Sequence, residues 1–321
     1  MSLRRATTLL CAFAFLAAGC GTAQRSSLAP AALAEVSAGA KAKNPAQRLA
    51  FAPLRYRTPV FPSAPSTVHT YATKPDLISG QPVELRLDVY QPTGDASTSR
   101  PLLVWVHGGG FSGGNRSNMA SLSVDYARLG YVTASISYRL DPGNQCQAVQ
   151  DGLLTGAQLL TETARCERAI LAARDDTASA IAWLRANAAT FKIDPTRVAV
   201  GGSSAGAITA VHVGQTLNTP GSPPPATVQV SAVLAMSGCN YFDGTIDSFD
   251  APVALLASGG DSLVPFECVV STADQAIAAG TRVMRHYYQL ESSHALGLYL
   301  AHQGEIDRAW RLFLIDHLDL A

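Results

Sequence analysis

Two hydrophobic rhythms alternate along the chain from about residue 64. "VELRLDVYQP" (83–92) places apolar residues at every second position, as a half-buried strand does, and ends in a Pro-Thr-Gly turn. "PLLVWVHG" (101–108) is a continuous apolar run, the pattern of a strand covered on both faces. A helical stretch over about 117–129 stops at Gly130, and "YVTASISY" (131–138) reads as the next strand. "DDTASAIAWLRANAATF" (175–191) opens on two acids and carries an apolar stripe through Ile181, Leu184 and Ala188, which predicts a helix starting at the acids. A short strand at "RVAVGG" (197–202) leads into a helix over 205–216. Three more strands follow at 228–238, 251–259 and 282–290, and a last helix runs from about 304 to 318. Strands alternating with helices predict an α/β fold, a mostly parallel central sheet flanked by helices, with ligands beyond the carboxyl ends of its strands.

Residues 139–174 break the alternation. They contain "DPGNQC" and "ARCERAI" with a helix between the two cysteines, and read as an insertion, either a disulfide-stapled flap beside the site or a surface excursion. Four cysteines lie in this part of the chain: Cys146, Cys166, Cys239 and Cys268. The pairs Cys146–Cys166 and Cys239–Cys268 each bracket one local loop, so these are the expected bridges among three arrangements. No Cys-x-x-Cys pair or Cys/His cluster suggests a metal site.

The first residues follow a different pattern. Arg4 and Arg5 precede the apolar run "ATTLLCAFAFLAA", too short to span a membrane comfortably, so residues 1–19 read as a signal peptide. "LAAGC" resembles a bacterial lipobox and implies cleavage before Cys20 and lipidation of its thiol; Ala17 departs from the usual Leu there. The alternative is ordinary cleavage after Ala23. Residues 20–63 are rich in Ala, Ser and Pro and read as a tether, leaving 64–321 as one domain. The expected location is the cell envelope or periplasm of a bacterium, with a lipid anchor as the membrane contact, or secretion otherwise. Across all 321 residues, 47% are hydrophobic, enough for a large core, and Lys+Arg and Asp+Glu both number 24, so no global charge points to nucleic acid.

The candidate chemistry lies at strand ends. After the strand "RVAV", Gly202-Ser203-Ser204-Ala205-Gly206 has the G-x-S-x-G form of a nucleophile elbow. Small neighbours allow the sharp turn, which lifts the central hydroxyl above the sheet and aims helix N–H groups at developing negative charge. This register makes Ser204 the nucleophile and Ser203 a small neighbour; the register Gly201-x-Ser203-x-Ala205 fits less well. "HGGGF" (107–111) follows the buried strand, and its consecutive glycines let backbone N–H groups face a ligand. The N–H groups of Gly109, Gly110 and Ala205 are the candidate oxyanion hole. Asp261 ends an apolar strand in "ALLASGGDSLVP", whereas Asp243, Asp247 and Asp250 precede that strand in a polar loop. His294 in "LESSHALG" follows the last strand. His286 falls inside that strand, His302 and His317 fall in or near the terminal helix, and His107 precedes the nucleophile.

Taken in order, "DVYQP", "PLLVWVHGGGFSGG", "GYVTASISYRL", "AIAWLRANAATFKIDPTRVAVGGSSAG", "SGGDSLVP" and "SSHALG" resemble the HGGG-bearing carboxylesterases and lipases of the α/β-hydrolase superfamily, the hormone-sensitive-lipase-like and related group, over about 83–318. The resemblance implies the α/β-hydrolase fold, a Ser204–Asp261–His294 triad, hydrolysis of small or medium acyl esters through an acyl-enzyme, and no cofactor. A longer connection after "YRL" departs from the family pattern. A peptidase or amidase of the same fold, or a non-catalytic binding member, is the alternative.

Overall fold

The computed structural model describes residues 54–241 and 244–320. The signal segment, Cys20, the tether up to residue 53 and Asp243 lie outside the described residues.

One sheet of eight strands organises these residues, in the order β1-β2-β4-β3-β5-β6-β7-β8. β1 (Ser66–Pro75) pairs antiparallel with β2 (Pro82–Tyr90), and β2 pairs antiparallel with β4 (Val132–Ile136). From β4 onward every pairing is parallel, through β3 (Arg100–Val106), β5 (Ile193–Ser203), β6 (Ala232–Met236), β7 (Val253–Ser258) and β8 (Val283–Tyr288).

The continuous apolar run of β3 has the cause its pattern suggested. Leu102, Val104 and Val106 point into one core with Ile181, Ala207 and Val211, while Leu103 and Trp105 point into a second core with Tyr126, Trp310 and Leu314. Successive side chains alternate faces, so a strand buried on both sides must be apolar throughout. Gly201 serves the same packing: a Cβ there would lie 2.4 Å from the Trp105 ring. On one face lie α3 (Gly156–Ala186) and α5 (Ala205–Gln215); on the other lie α1 (Ala120–Arg128) and α8 (Gln303–His317). Shorter helices are α2 (Cys146–Gln150), α4 (Ala188–Phe191) and α7 (Ala295–Ala301), and α6 (Phe266–Ala278) connects β7 to β8.

Two expectations are corrected, and one strand, β1, lies outside the predicted set. The helix expected to start at Asp175 starts at Gly156, and both acids lie inside it. Asp176 is fully buried and receives Lys74 Nζ at 2.8 Å and Arg139 Nη2 at 2.9 Å, so it is an ion-pair partner and not an end signal. Strand β1 carries no clear alternation because it is an edge with one strongly buried apolar side chain, Tyr71. The tether boundary at residue 63 falls too late. Tyr56 is buried and its N–H donates to the Leu129 carbonyl at 2.8 Å, Arg55 pairs with Asp95 at 2.6 Å, and Val60 N–H donates to the Arg128 carbonyl. One aromatic ring and one guanidinium dock residues 54–63 despite their Pro-rich composition.

Candidate active site

β5 ends at Ser203 and α5 begins at Ala205; Ser204 forms the corner between them, with φ 56° and ψ −123°. This backbone is strained for a residue with a side chain, and the surroundings hold it in place. Ser204 N–H donates to the Met236 carbonyl at 2.8 Å. A Cβ on Gly202 would lie 2.1 Å from the Gly206 carbonyl oxygen, and one on Gly206 would lie 2.1 Å from the Val106 carbonyl oxygen. Both flanking positions therefore exclude any side chain. Ser203, 7% exposed, remains in the strand opposite Met236.

The glycine loop leans on this corner. A Cβ at Gly108 would meet the Ser203 carbonyl oxygen at 2.8 Å, and Gly109 and Gly110 have φ of 119° and 59°. The Gly109 carbonyl accepts from the N–H groups of Ser112 and Gly113, which closes the loop into a tight turn. Among the described residues the N–H groups of Gly109 and Gly110 make no backbone hydrogen bond, and that of Ala205 belongs to the unpaired first turn of α5. His107 lies beneath the loop. Its ring stacks on Tyr138 at 4.3 Å, Nδ1 contacts the Gly108 carbonyl at 2.7 Å, and burial holds its pKa below the ordinary value.

Beyond β7 and β8, Asp261 and His294 meet. His294 Nδ1 lies 2.7 Å from Asp261 Oδ2 and 2.9 Å from Oδ1. The carboxylate is 1% exposed at its side chain and also accepts from the N–H groups of Leu263 and Val264 at 2.9 and 3.1 Å. Burial alone would raise its pKa. The hydrogen bonds from His294, these two amides and Ser237 together outweigh burial and keep it below the usual carboxylate value. His294 Nε2 is buried and makes no hydrogen bond, and none joins it to Ser204 Oγ. The competing acids act elsewhere: Asp247 accepts from the N–H groups of Gly221 and Phe249, and Asp250 accepts from the N–H of Asp247. His302 stacks on Tyr288 and bonds Glu291, His286 is buried within β8, and His317 packs edge-on against Phe313.

A cavity of about 190 Å³ opens at Ser204 and Ala205, lined on its apolar side by Phe111, Ile170, Ile208 and Val264. The insertion forms its opposite wall through Asn144, Gln145, Gln147 and Gln150 and the sulfur pair Cys146–Cys166. It is held at both ends. Asp141 N–H donates to the Phe111 carbonyl at 2.9 Å and Asn144 Nδ2 to the Gly110 carbonyl at 3.0 Å, while Gln150 Nε2 donates to the Leu263 carbonyl at 2.9 Å. Of the two readings of residues 139–174, the flap beside the site is the one observed. Cys239 and Cys268 form the second bonded pair. Two residues of the site carry no sequence signal: Ser258, whose hydroxyl donates to the Ser293 carbonyl at 2.7 Å, and Ser237, whose hydroxyl accepts from Ala295 N–H at 2.9 Å. Both are ordinary serines at the ends of apolar runs.

Comparison with known proteins agrees with this architecture. A family model described as the α/β hydrolase fold matches residues 162–240, and a second, described as BD-FAE, matches 87–152. The esterase 2 of Thermogutta terrifontis superposes with a TM-score of 0.56 at 21% identity, over 82% of this chain and 95% of that one. MGS-M1, an α/β hydrolase from a Medee basin deep-sea metagenome library, superposes with a TM-score of 0.56 at 18% identity, over 81% and 100%. Among curated proteins, phenmedipham hydrolase of Pseudarthrobacter oxydans is 33% identical over 41% of this chain, and lipase 1 of Geotrichum candidum is 30% identical over 40%. The matches span only 23% and 21% of those two relatives' own lengths. Sheet order, strained elbow and glycine loop together define an α/β hydrolase. The two family-model matches and the superposed structures agree with that fold.

Proposed function

We propose that the protein is a serine hydrolase of carboxylic esters, with Ser204 as nucleophile, His294 as general base and Asp261 as its orienting acid. The observation that carries this reading is the Asp261–His294 pair. A buried carboxylate holds Nδ1, Nε2 is left without a partner, and both residues lie beyond the same sheet edge as the strained Ser204. In the reaction, Nε2 takes the Ser204 proton as Oγ attacks the ester carbonyl. The resulting oxyanion accepts hydrogen bonds from the N–H groups of Gly109, Gly110 and Ala205. The imidazolium then protonates the departing alkoxide, and water attacks the acyl-enzyme by the same route, releasing the acid and restoring Ser204. Among the described residues no charged side chain lines the cavity, and its size suits a neutral acyl group of small or medium length. The reaction needs no cofactor.

The test is a series of nitrophenyl esters of rising acyl length, with an amino-acyl anilide beside them and organophosphonate labelling of the protein. The expected outcome is ester hydrolysis, labelling at Ser204, and loss of both in Ser204→Ala. Preferred anilide cleavage would make it a peptidase, and absence of labelling a non-catalytic member. We also propose export and lipidation at Cys20, in keeping with two bonded cysteine pairs, which persist in oxidising compartments. Mass spectrometry of the mature N-terminus checks this; an unmodified chain starting at Gln24 would refute lipidation.

A further inference from the structure

Ser237 stands one residue past β6, fully buried, with φ 52°. That region is unfavourable for a residue with a Cβ by roughly 1 kcal/mol, and glycine enters it freely. Here Gly238 follows at the next position, with no positive φ, while the left-handed residue keeps a hydroxyl. The surroundings hold this backbone through the Ser237 N–H, which donates to the Leu256 carbonyl at 2.8 Å, and through the hydroxyl.

Its partners lie on both sides of the Asp261–His294 pair. Ser237 Oγ accepts from the N–H of Ala295, the residue after His294, at 2.9 Å. The Ser237 hydroxyl also helps to keep the Asp261 pKa low, as the least of the contributions that do so. Ala295 has φ 46°, so the chain turns sharply where it leaves the imidazole. On the other side, Ser258 Oγ holds the Ser293 carbonyl at 2.7 Å. His294 thus hangs between two hydroxyl anchors.

We propose that Ser237 is a positioning residue: by holding Ala295 N–H it fixes the backbone that carries His294 at the distance and angle at which Nδ1 meets Asp261. The inference rests on the serine-hydrolase reading above. It predicts a change in the rate of the chemical step with little change in substrate binding, because Ser237 does not line the cavity.

Ser237→Gly removes the hydroxyl and relieves the left-handed backbone, so folding and function separate. The variant should melt within a few degrees of the parent. Its kcat per active site, counted by organophosphonate titration, should fall about 10- to 100-fold, as small misplacements of catalytic groups do. KM should stay within about threefold, since the chemical step and not uniform binding is affected. The downfield imidazole N–H proton resonance of His294 should shift or broaden. Ser237→Ala, read by the same titrated kcat, serves if the glycine variant does not fold. Unchanged kcat per site in either variant overturns the proposal, as does a loss explained wholly by fewer titratable sites. Ser204→Ala run in parallel distinguishes the two levels: if it keeps its activity, the serine-hydrolase reading has failed; if it is inactive while Ser237→Gly is fully active, only the positioning role has.

Discussion

The Cys146–Cys166 bridge gives the most informative perturbation, because it joins the wall of the cavity to the long helix beneath it. Consider the double variant Cys146→Ala, Cys166→Ala. The bridge has a sequence separation of 20, for which the loop-entropy model gives about 3 kcal/mol. Cys166 is 1% exposed, so its truncation leaves a small void worth about a further 1 kcal/mol. A domain of this length has an unfolding entropy of roughly 0.5–0.6 kcal/mol/K, so the combined loss of about 4 kcal/mol should lower the melting temperature by about 7 °C. The consequence for the site follows from what remains. α2 has no buried residue, and the flap keeps its hydrogen bonds to the carbonyls of Phe111, Gly110 and Leu263, each worth about 1 kcal/mol. The flap should open locally without unfolding the sheet. KM for short acyl esters should rise several-fold while kcat holds, since Ser204, Asp261 and His294 are carried by strand ends. Thermal unfolding and steady-state kinetics of the oxidised parent and the variant make the test. An unchanged melting temperature would refute the entropy argument. A collapse of kcat at constant KM would show that the flap orders the reacting groups and not the wall.

The remaining expectations concern single positions. Ser203→Ala should retain most activity, measured as kcat/KM on a nitrophenyl ester, because Ser203 lies in the strand and Ser204 forms the corner; inactivation would move the nucleophile by one residue. Gly206→Ala places a Cβ 2.1 Å from the Val106 carbonyl oxygen, so α5 must shift. Stability to urea should drop by about 1–3 kcal/mol and kcat should fall with it, as Ala205 N–H moves. Asp261→Asn keeps the volume but presents a donor to Nδ1, and kcat should fall by about 10⁴ with the fold intact by circular dichroism. His212 is buried, and burial, with a lesser contribution from Arg174, pushes its pKa down to about 4. The unfolded imidazole titrates near 6.5, so the neutral ring's stabilisation is present above about pH 6.5 and is lost as pH falls toward 4. By pH 5 the loss is about 2 kcal/mol, and urea titrations of His212→Gln against the parent should show that difference vanish from the variant.

Much of the architecture is visible in the chain because two-sided burial forces a plain pattern. β6, residues 102–106 of β3 and residues 253–257 of β7 are apolar throughout since each faces two cores. The elbow is visible for a related reason: Gly202 and Gly206 each stand where a Cβ would enter a neighbouring backbone. Order along the chain then points to Asp261 and His294, since each follows a strand that ends at the same edge. What escapes the sequence depends on tertiary partners. Asp176 resembles a helix start until Lys74 and Arg139 are placed beside it, and Tyr56 lies in a linker-like composition until Leu129 is placed above it. Ser237 is the clearest case. Its identity as a serine is unremarkable in sequence, and only its backbone angle and its bond to Ala295 distinguish it.

The helix Gly156–Ala186 is a rigid rod about 46 Å long, at 1.5 Å per residue. Its first half supplies Cys166 and Ile170 to the cavity, and its second half supplies Ile181 and Leu184 to the core. The cavity and the core are therefore built on one continuous element, with the bridge clamping its outer half. Upstream of the bridge, Arg165 pairs with the fully buried Asp141 at 2.6 Å and Glu162 is itself buried, so the outer half of the rod is tied to the flap by charge as well as by sulfur. The cavity wall therefore moves only as far as this rod lets it.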